Sequence, residues 1–86
     1  MSYKVIYSEE AEAQLLKLDN VVAKMVLDKI DRSGENPQHY FERLAGKDDY
    51  KLRSGDWRVI ARIDHESKTV FIVTIDHRKR VYKRMG

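Results

Sequence analysis

Tyr50-Lys51-Leu52-Arg53-Ser54-Gly55-Asp56-Trp57-Arg58-Val59-Ile60-Ala61-Arg62-Ile63-Asp64 decides the fold. Residues 50–53 and 57–64 alternate with a period of two, the pattern of half-buried strands. Ser54-Gly55-Asp56 between them has the composition of a turn. Side chains alternate across a strand, so Trp57, Val59, Ala61 and Ile63 share one face and Arg58, Ile60 and Arg62 the other. The short turn makes the two strands antiparallel neighbours, with Lys51 and Arg53 expected across the ladder from Arg58 and Arg62. The apolar face requires a cover, and the open face carries cations.

Working outward, His65-Glu66-Ser67-Lys68 reads as a second turn. Residues 69–76 form a third strand, apolar on both faces as a central strand is. A basic tail follows from His77 to Gly86. Upstream, Tyr3-Lys4-Val5-Ile6-Tyr7 is rich in β-branched and aromatic residues and predicts a strand. Ser8 is placed to cap a helix over residues 9–18, with Glu9 and Glu10 suited to its N-terminal dipole. Asp19-Asn20 breaks that helix and caps the next. Val22, Met25, Val26 and Ile30 continue a helical stripe, and Gly34 stands where a glycine just past the helix end is expected. The two helices are expected to form a hairpin. Residues 34–49 are the loosest stretch, since Pro37 disfavours helix at Asn36. Tyr40, Phe41 and Leu44 are expected to pin it to the core. The order predicts a single α+β domain over residues 1–86: an N-terminal strand, a two-helix hairpin, then an antiparallel sheet of three or more strands with the helices on one face.

The chain of 86 residues suits one domain with a small core, for which a stabilising partner is a natural expectation. It contains no cysteine, which excludes disulfides and thiolate metal sites. No apolar run approaches a membrane span, and the N-terminus has no signal-peptide character, so the cytoplasm is the expected location. His39 and His65 fall in predicted loops and lack the spacing of a metal site, so no metal or other cofactor is expected. Net charge is +3. Residues 1–43 carry 6 Lys/Arg and 8 Asp/Glu (6 − 8 = −2), whereas residues 44–86 carry 11 and 6 (11 − 6 = +5). The cationic half fits either a solvated surface or an anionic partner such as nucleic acid.

The second alternative has chemical content. Like charges across a ladder repel, and cations gathered on one face suit an anionic ligand. The tail adds Arg78, Lys79, Arg80, Lys83 and Arg84 around Tyr82. Arginine's planar fork can bind two phosphate oxygens. A phenol among cations is expected to have a lowered pKa, whereas an unperturbed one is ionised to roughly one part in a thousand at neutral pH. Tyr82 is therefore a candidate general base. Its alternative fate is packing at the sheet edge.

The run from Tyr50 to Ile60 resembles the RelE/ParE toxin superfamily, in which an alternating basic strand leads through a glycine turn into aromatic-Arg-hydrophobic. Ile75-Asp76-His77-Arg78-Lys79-Arg80-Val81-Tyr82 is similar to the superfamily's closing motif, and Leu44-Ala45-Gly46 to the Leu-x-Gly before the basic strand. The resemblance spans essentially the whole chain. It implies a toxin of a type II toxin–antitoxin module, paired with a RelB-like antitoxin. For RelE-like members it implies ribosome-dependent cleavage of A-site mRNA. The 2′-OH attacks the adjacent phosphate to leave a 2′,3′-cyclic phosphate, without metal. Carried over, Tyr82 matches the proposed general base and Arg78 the arginine serving the leaving 5′-oxygen. Arg58 matches the arginine stabilising charge on the phosphate, and Lys51 matches one of two lysines near it. Lys47, Arg53, Arg62, Lys79 and Arg80 are expected RNA contacts, and His77 is a second acid–base candidate. Asp49 replaces the other family lysine, with Lys47 as its candidate substitute, and the interval from Arg78 to Tyr82 is shorter than in some members. The pattern also admits a ParE-like DNA gyrase poison without nuclease activity, or a weakened homologue acting as an RNA-binding module.

Overall fold

The computed structural model describes residues 2–44 and 49–79. The chain runs β1 (Lys4–Tyr7), α1 (Glu9–Lys17), α2 (Asn20–Glu35), α3 (Pro37–Tyr40), β2 (Glu42–Arg43), β3 (Asp49–Ser54), β4 (Trp57–Asp64) and β5 (Thr69–His77). The strands form one sheet in the order β1-β5-β4-β3-β2. All pairings are antiparallel except that of β1 with β5. The predicted α+β architecture holds, with β1 added in parallel beside the last strand.

The α1 cap is as expected. Ser8 Oγ accepts from Ala11 N at 3.0 Å, and Glu9, Glu10 and Glu12 fill the first turn. Asp19 caps α2 through its carboxylate, which accepts from Val21 N. Gly34 departs from its predicted place, because it lies inside α2 and Asn36 ends the helix. The glycine serves close packing. A Cβ there would stand 3.3 Å from Val5 Cγ2 and 3.4 Å from Tyr3 O, where β1 passes the helix, and Tyr3 N donates to Gly34 O at 2.7 Å. The expected loop after it also contains a helical turn. Pro37 occupies its start, where the missing N–H costs nothing, while Asn36 before it stays outside the helical region at φ −152° and ψ 78°.

The core lies between the helices and one face of the sheet. Ala11, Val26 and Ile30 from the helices meet Leu52, Val59, Ala61, Val70, Ile72 and Ile75 from the strands. Phe41 closes it from the connection, and Tyr40 packs against it as expected. The β3–β4 turn is tighter than three residues: Ser54 pairs with Trp57, and Gly55 takes φ +60° at the position a type II′ turn reserves for glycine. In β5 a bulge displaces the ladder, so Ile60 faces Thr74 while Ala61 faces Ile72. Both Ile72 and Ile75 thereby reach the core. Beyond Tyr7 the outer edge of β5 would lie open. Gln14 of α1 covers it, accepting from Ile75 N at 2.6 Å and bonding the Thr74 hydroxyl. Side-chain capping of an edge strand removes a template for unwanted pairing.

Candidate nucleic-acid interface

The register builds the open face of the sheet. Because Val59 and Ala61 enter the core, Arg58, Ile60 and Arg62 turn the other way, as predicted. Across the β3–β4 ladder, Arg53 opposes Arg58, Lys51 opposes Ile60 and Asp49 opposes Arg62. Arg53 therefore meets its expected neighbour, whereas Lys51 sits diagonal to both arginines. Asp49, the residue standing where the family pattern has a lysine, bonds Arg62: its Oδ1 lies 3.4 Å from Nε. Arg62 remains largely solvated, its side chain 72% exposed. Such a pair contributes at most about 1 kcal/mol to stability. Its larger effect is to cancel one cation on the face.

Arg58 departs from the expectation of a solvated cation. It is 5% exposed. Its guanidinium donates to Gly55 O at 2.8 Å and Trp57 O at 3.0 Å, so it ties down the β3–β4 turn. Asp76, also buried, is its partner in register on β5 and offers the charge that a buried guanidinium requires. The same turn holds the end of β5. Arg78 N donates to Asp56 O at 2.8 Å, and the Trp57 and His77 rings meet edge to face at 5.6 Å. Three consecutive carbonyls, those of Gly55, Asp56 and Trp57, thus engage the two arginines. Arg78 and Lys79 are exposed, and His77 Nδ1 accepts from Lys79 N.

The structure therefore assembles Lys51, Arg53, Arg58 and Arg62 on one face and sets His77, Arg78 and Lys79 just beyond the turn end. Lys47, Arg80 and Tyr82 lie outside the described residues. Of the remaining histidines, His39 packs edge to face on Tyr40. His65 bonds the Tyr3 hydroxyl at 2.8 Å, a contact its predicted loop position did not suggest. No group of His, Cys, Asp or Glu among the described residues could hold a metal ion. No helix among them is long and apolar enough to cross a membrane.

The family model for the ParE toxin of the type II toxin–antitoxin system parDE matches residues 5–82. The chain belongs to this toxin family. An archaeal RelE-type toxin from Methanocaldococcus jannaschii is 30% identical over 73 residues, covering 83% of this chain and 78% of the relative. Among solved structures, the toxin–antitoxin complex RelBE2 of Mycobacterium tuberculosis contains a chain that superposes with a TM-score of 0.81 at 27% identity, covering 91% of this chain and 100% of that one. A mutant of Escherichia coli RelE in the free state gives a TM-score of 0.78 at 27% identity, covering 96% and 93%.

In this toxin, three residues with a place at the site carry no sequence signal of their own. Asp76 looks like one more strand-end acid, and only the register sets it across from Arg58. Gln14 is a polar residue on an amphipathic helix until β1 proves too short to cover β5. Phe71 belongs to a strand apolar on both faces, yet it stands exposed on the open side.

Proposed function

We propose that this toxin is a ribosome-dependent mRNA endonuclease that cleaves A-site mRNA by attack of the 2′-OH on the adjacent phosphate. The observation that carries the reading is the cation array on the open face: Arg53 beside Arg58, Lys51 diagonal to both arginines of β4, and Arg78 anchored to the same turn. In this reading Tyr82 is the general base, Arg78 serves the leaving 5′-oxygen, and Lys51 stabilises charge on the phosphate. Arg58 takes a modified part. Its bonds to Gly55 O and Trp57 O lock the turn whose Asp56 carbonyl holds Arg78, so it positions Arg78 as well as adding positive potential. Arg53, Arg62, Lys79, Arg80 and Lys47 contact the RNA backbone, and His77 is the alternative acid or base. The chemistry assigned to these residues uses no metal or other cofactor, and its setting is the translating ribosome of the cytoplasm.

The partner in this reading is a RelB-like antitoxin that covers the cationic face or displaces the tail carrying Tyr82. The solved relatives include toxins in complex with RelB. The test is primer extension on mRNA from translating ribosomes after the toxin is added. Cleavage between the second and third A-site positions is the expected result. A second reading, a gyrase poison that acts by binding alone, is favoured by the engagement of Arg58 with the turn and of Arg62 with Asp49. A supercoiling assay with gyrase separates the two.

A further inference from the structure

One row across the open face differs from the rest. Ile6 of β1 pairs with Phe71 of β5, Phe71 with Arg62 of β4, and Arg62 with Asp49 of β3. All four turn away from the core, because their chain neighbours Val5, Tyr7, Val70, Ile72, Ala61, Ile63 and Tyr50 pack into it or against it. Ile6 is 38% exposed and Phe71 37%. Phe71 is the one aromatic among the exposed large hydrophobic residues described. Solubility alone gives no reason to hold a phenyl ring in water beside Arg62 on a face that also carries Lys51 and Arg53.

We infer that Phe71 is a stacking platform for a base of single-stranded RNA, with the phosphates of that strand drawn by Arg62, Lys51 and Arg53 on the same face. An exposed ring and cations stand together on one face. A strand spacing of about 4.8 Å puts Arg62 next to the ring and Lys51 on the order of 10 Å from it. Proteins that hold single strands combine aromatic rings, which take any base, with cations that track the backbone. Ile6 extends the ring's apolar surface on the side away from the cations. Apolar contact alone would leave the cations beside the patch unmet, whereas a single strand brings a base for the ring and phosphates for the cations together. Asp49 adjusts the site: while bonded to Arg62 it competes with a phosphate for that guanidinium. The inference deepens the proposed function by naming an RNA contact on the same face.

The test is fluorescence anisotropy with a fluorescein-labelled oligoadenylate about a dozen nucleotides long, a span suited to one small domain. Phe71→Leu keeps an apolar side chain but removes the ring. It should weaken binding roughly tenfold, as expected for loss of one stacked base, and leave the salt dependence unchanged. Phe71→Tyr should bind as the unmodified toxin does. Arg62→Ala should behave differently, lowering the slope of log affinity against log salt by about 0.7. The indole of Phe71→Trp, read against the Trp57 background, should be quenched by the RNA. Thermal unfolding of each variant establishes that it is folded. Wild-type affinity in Phe71→Leu overturns the inference. So does absence of binding by the unmodified toxin, and so does a Phe71→Leu variant that loses only its antitoxin. If RNA binding depends on Phe71 but ribosome-bound mRNA is not cut, the platform stands and the endonuclease reading falls.

Discussion

The two faces of β4 obey different rules. Toward the helices, Val59 and Ala61 are fully buried, and their hydrophobicity is sufficient reason. Toward the open side, Arg58 and Arg62 are the same residue type on the same face of one strand, yet one is sealed and the other solvated. Position along the strand makes the difference. Arg58 lies beside the turn, where the Gly55 and Trp57 carbonyls accept from its buried guanidinium and Asp76 is its partner in register; Arg62 lies at the far end, paired in register with Phe71 and bonded to Asp49. A shared face therefore does not confer a shared task. Arg58 holds architecture that Arg78 depends on, and Arg62 is available to a ligand.

The core face should dominate stability. Leu52→Ala removes a fully buried side chain and should cost about 2–5 kcal/mol, whereas Lys51→Ala, its neighbour on the other face, should stay within about 0.5 kcal/mol. Urea unfolding of the pair measures the contrast, and equal losses would break it. Arg58→Ala should fall between them, at about 1–3 kcal/mol, because it strands the carbonyls of Gly55 and Trp57 and leaves Asp76 buried without its guanidinium partner in register. A stability matching Arg62→Ala would remove the distinction drawn between the two arginines.

A smaller effect comes from Tyr7, on the core side of β1. Burial, and secondarily the charge of Asp31, pushes its phenol up to about 12. The folded state thus holds this proton more tightly than the unfolded chain, whose phenol titrates near 10. The resulting stability is complete below pH of about 10 and declines as pH rises toward about 12. Tyr7→Phe should flatten that alkaline decline in thermal unfolding, and an unchanged profile would contradict the assignment. Also small in stability is Asp49→Ala, which should cost less than about 1 kcal/mol while strengthening RNA binding and steepening its salt dependence.

Much of this was legible from residues 50–64. Alternation and the glycine turn predict both strands, their pairing and the division of their faces. Sequence periodicity cannot show what depends on neighbours remote in the chain. Gly34 reads as a helix terminus because helices often end on glycine, but its place is set by β1 passing so close that a Cβ there would stand 3.3 Å from Val5 Cγ2. The bulge in β5 interrupts no turn signal, and it alone lets Ile72 and Ile75 share a face. At the site, residue types pointed to a cation array, but burial of Arg58 depends on carbonyl positions fixed by the turn. Phe71 looked like core because a strand apolar on both faces is usually covered on both.

In the proposed function the open face and the Arg78 segment cut mRNA on the ribosome. Single-turnover cleavage of ribosome-bound mRNA by wild type, Arg78→Ala, Tyr82→Phe and the helical-side control Lys24→Ala tests it most directly. Loss of a positioned acid–base group or charge stabiliser typically costs about 10²-fold or more. Arg78→Ala and Tyr82→Phe should each slow cleavage by at least roughly 10²-fold while Lys24→Ala cuts at the wild-type rate. Wild-type toxin that leaves the mRNA intact while blocking gyrase supercoiling would contradict the claim.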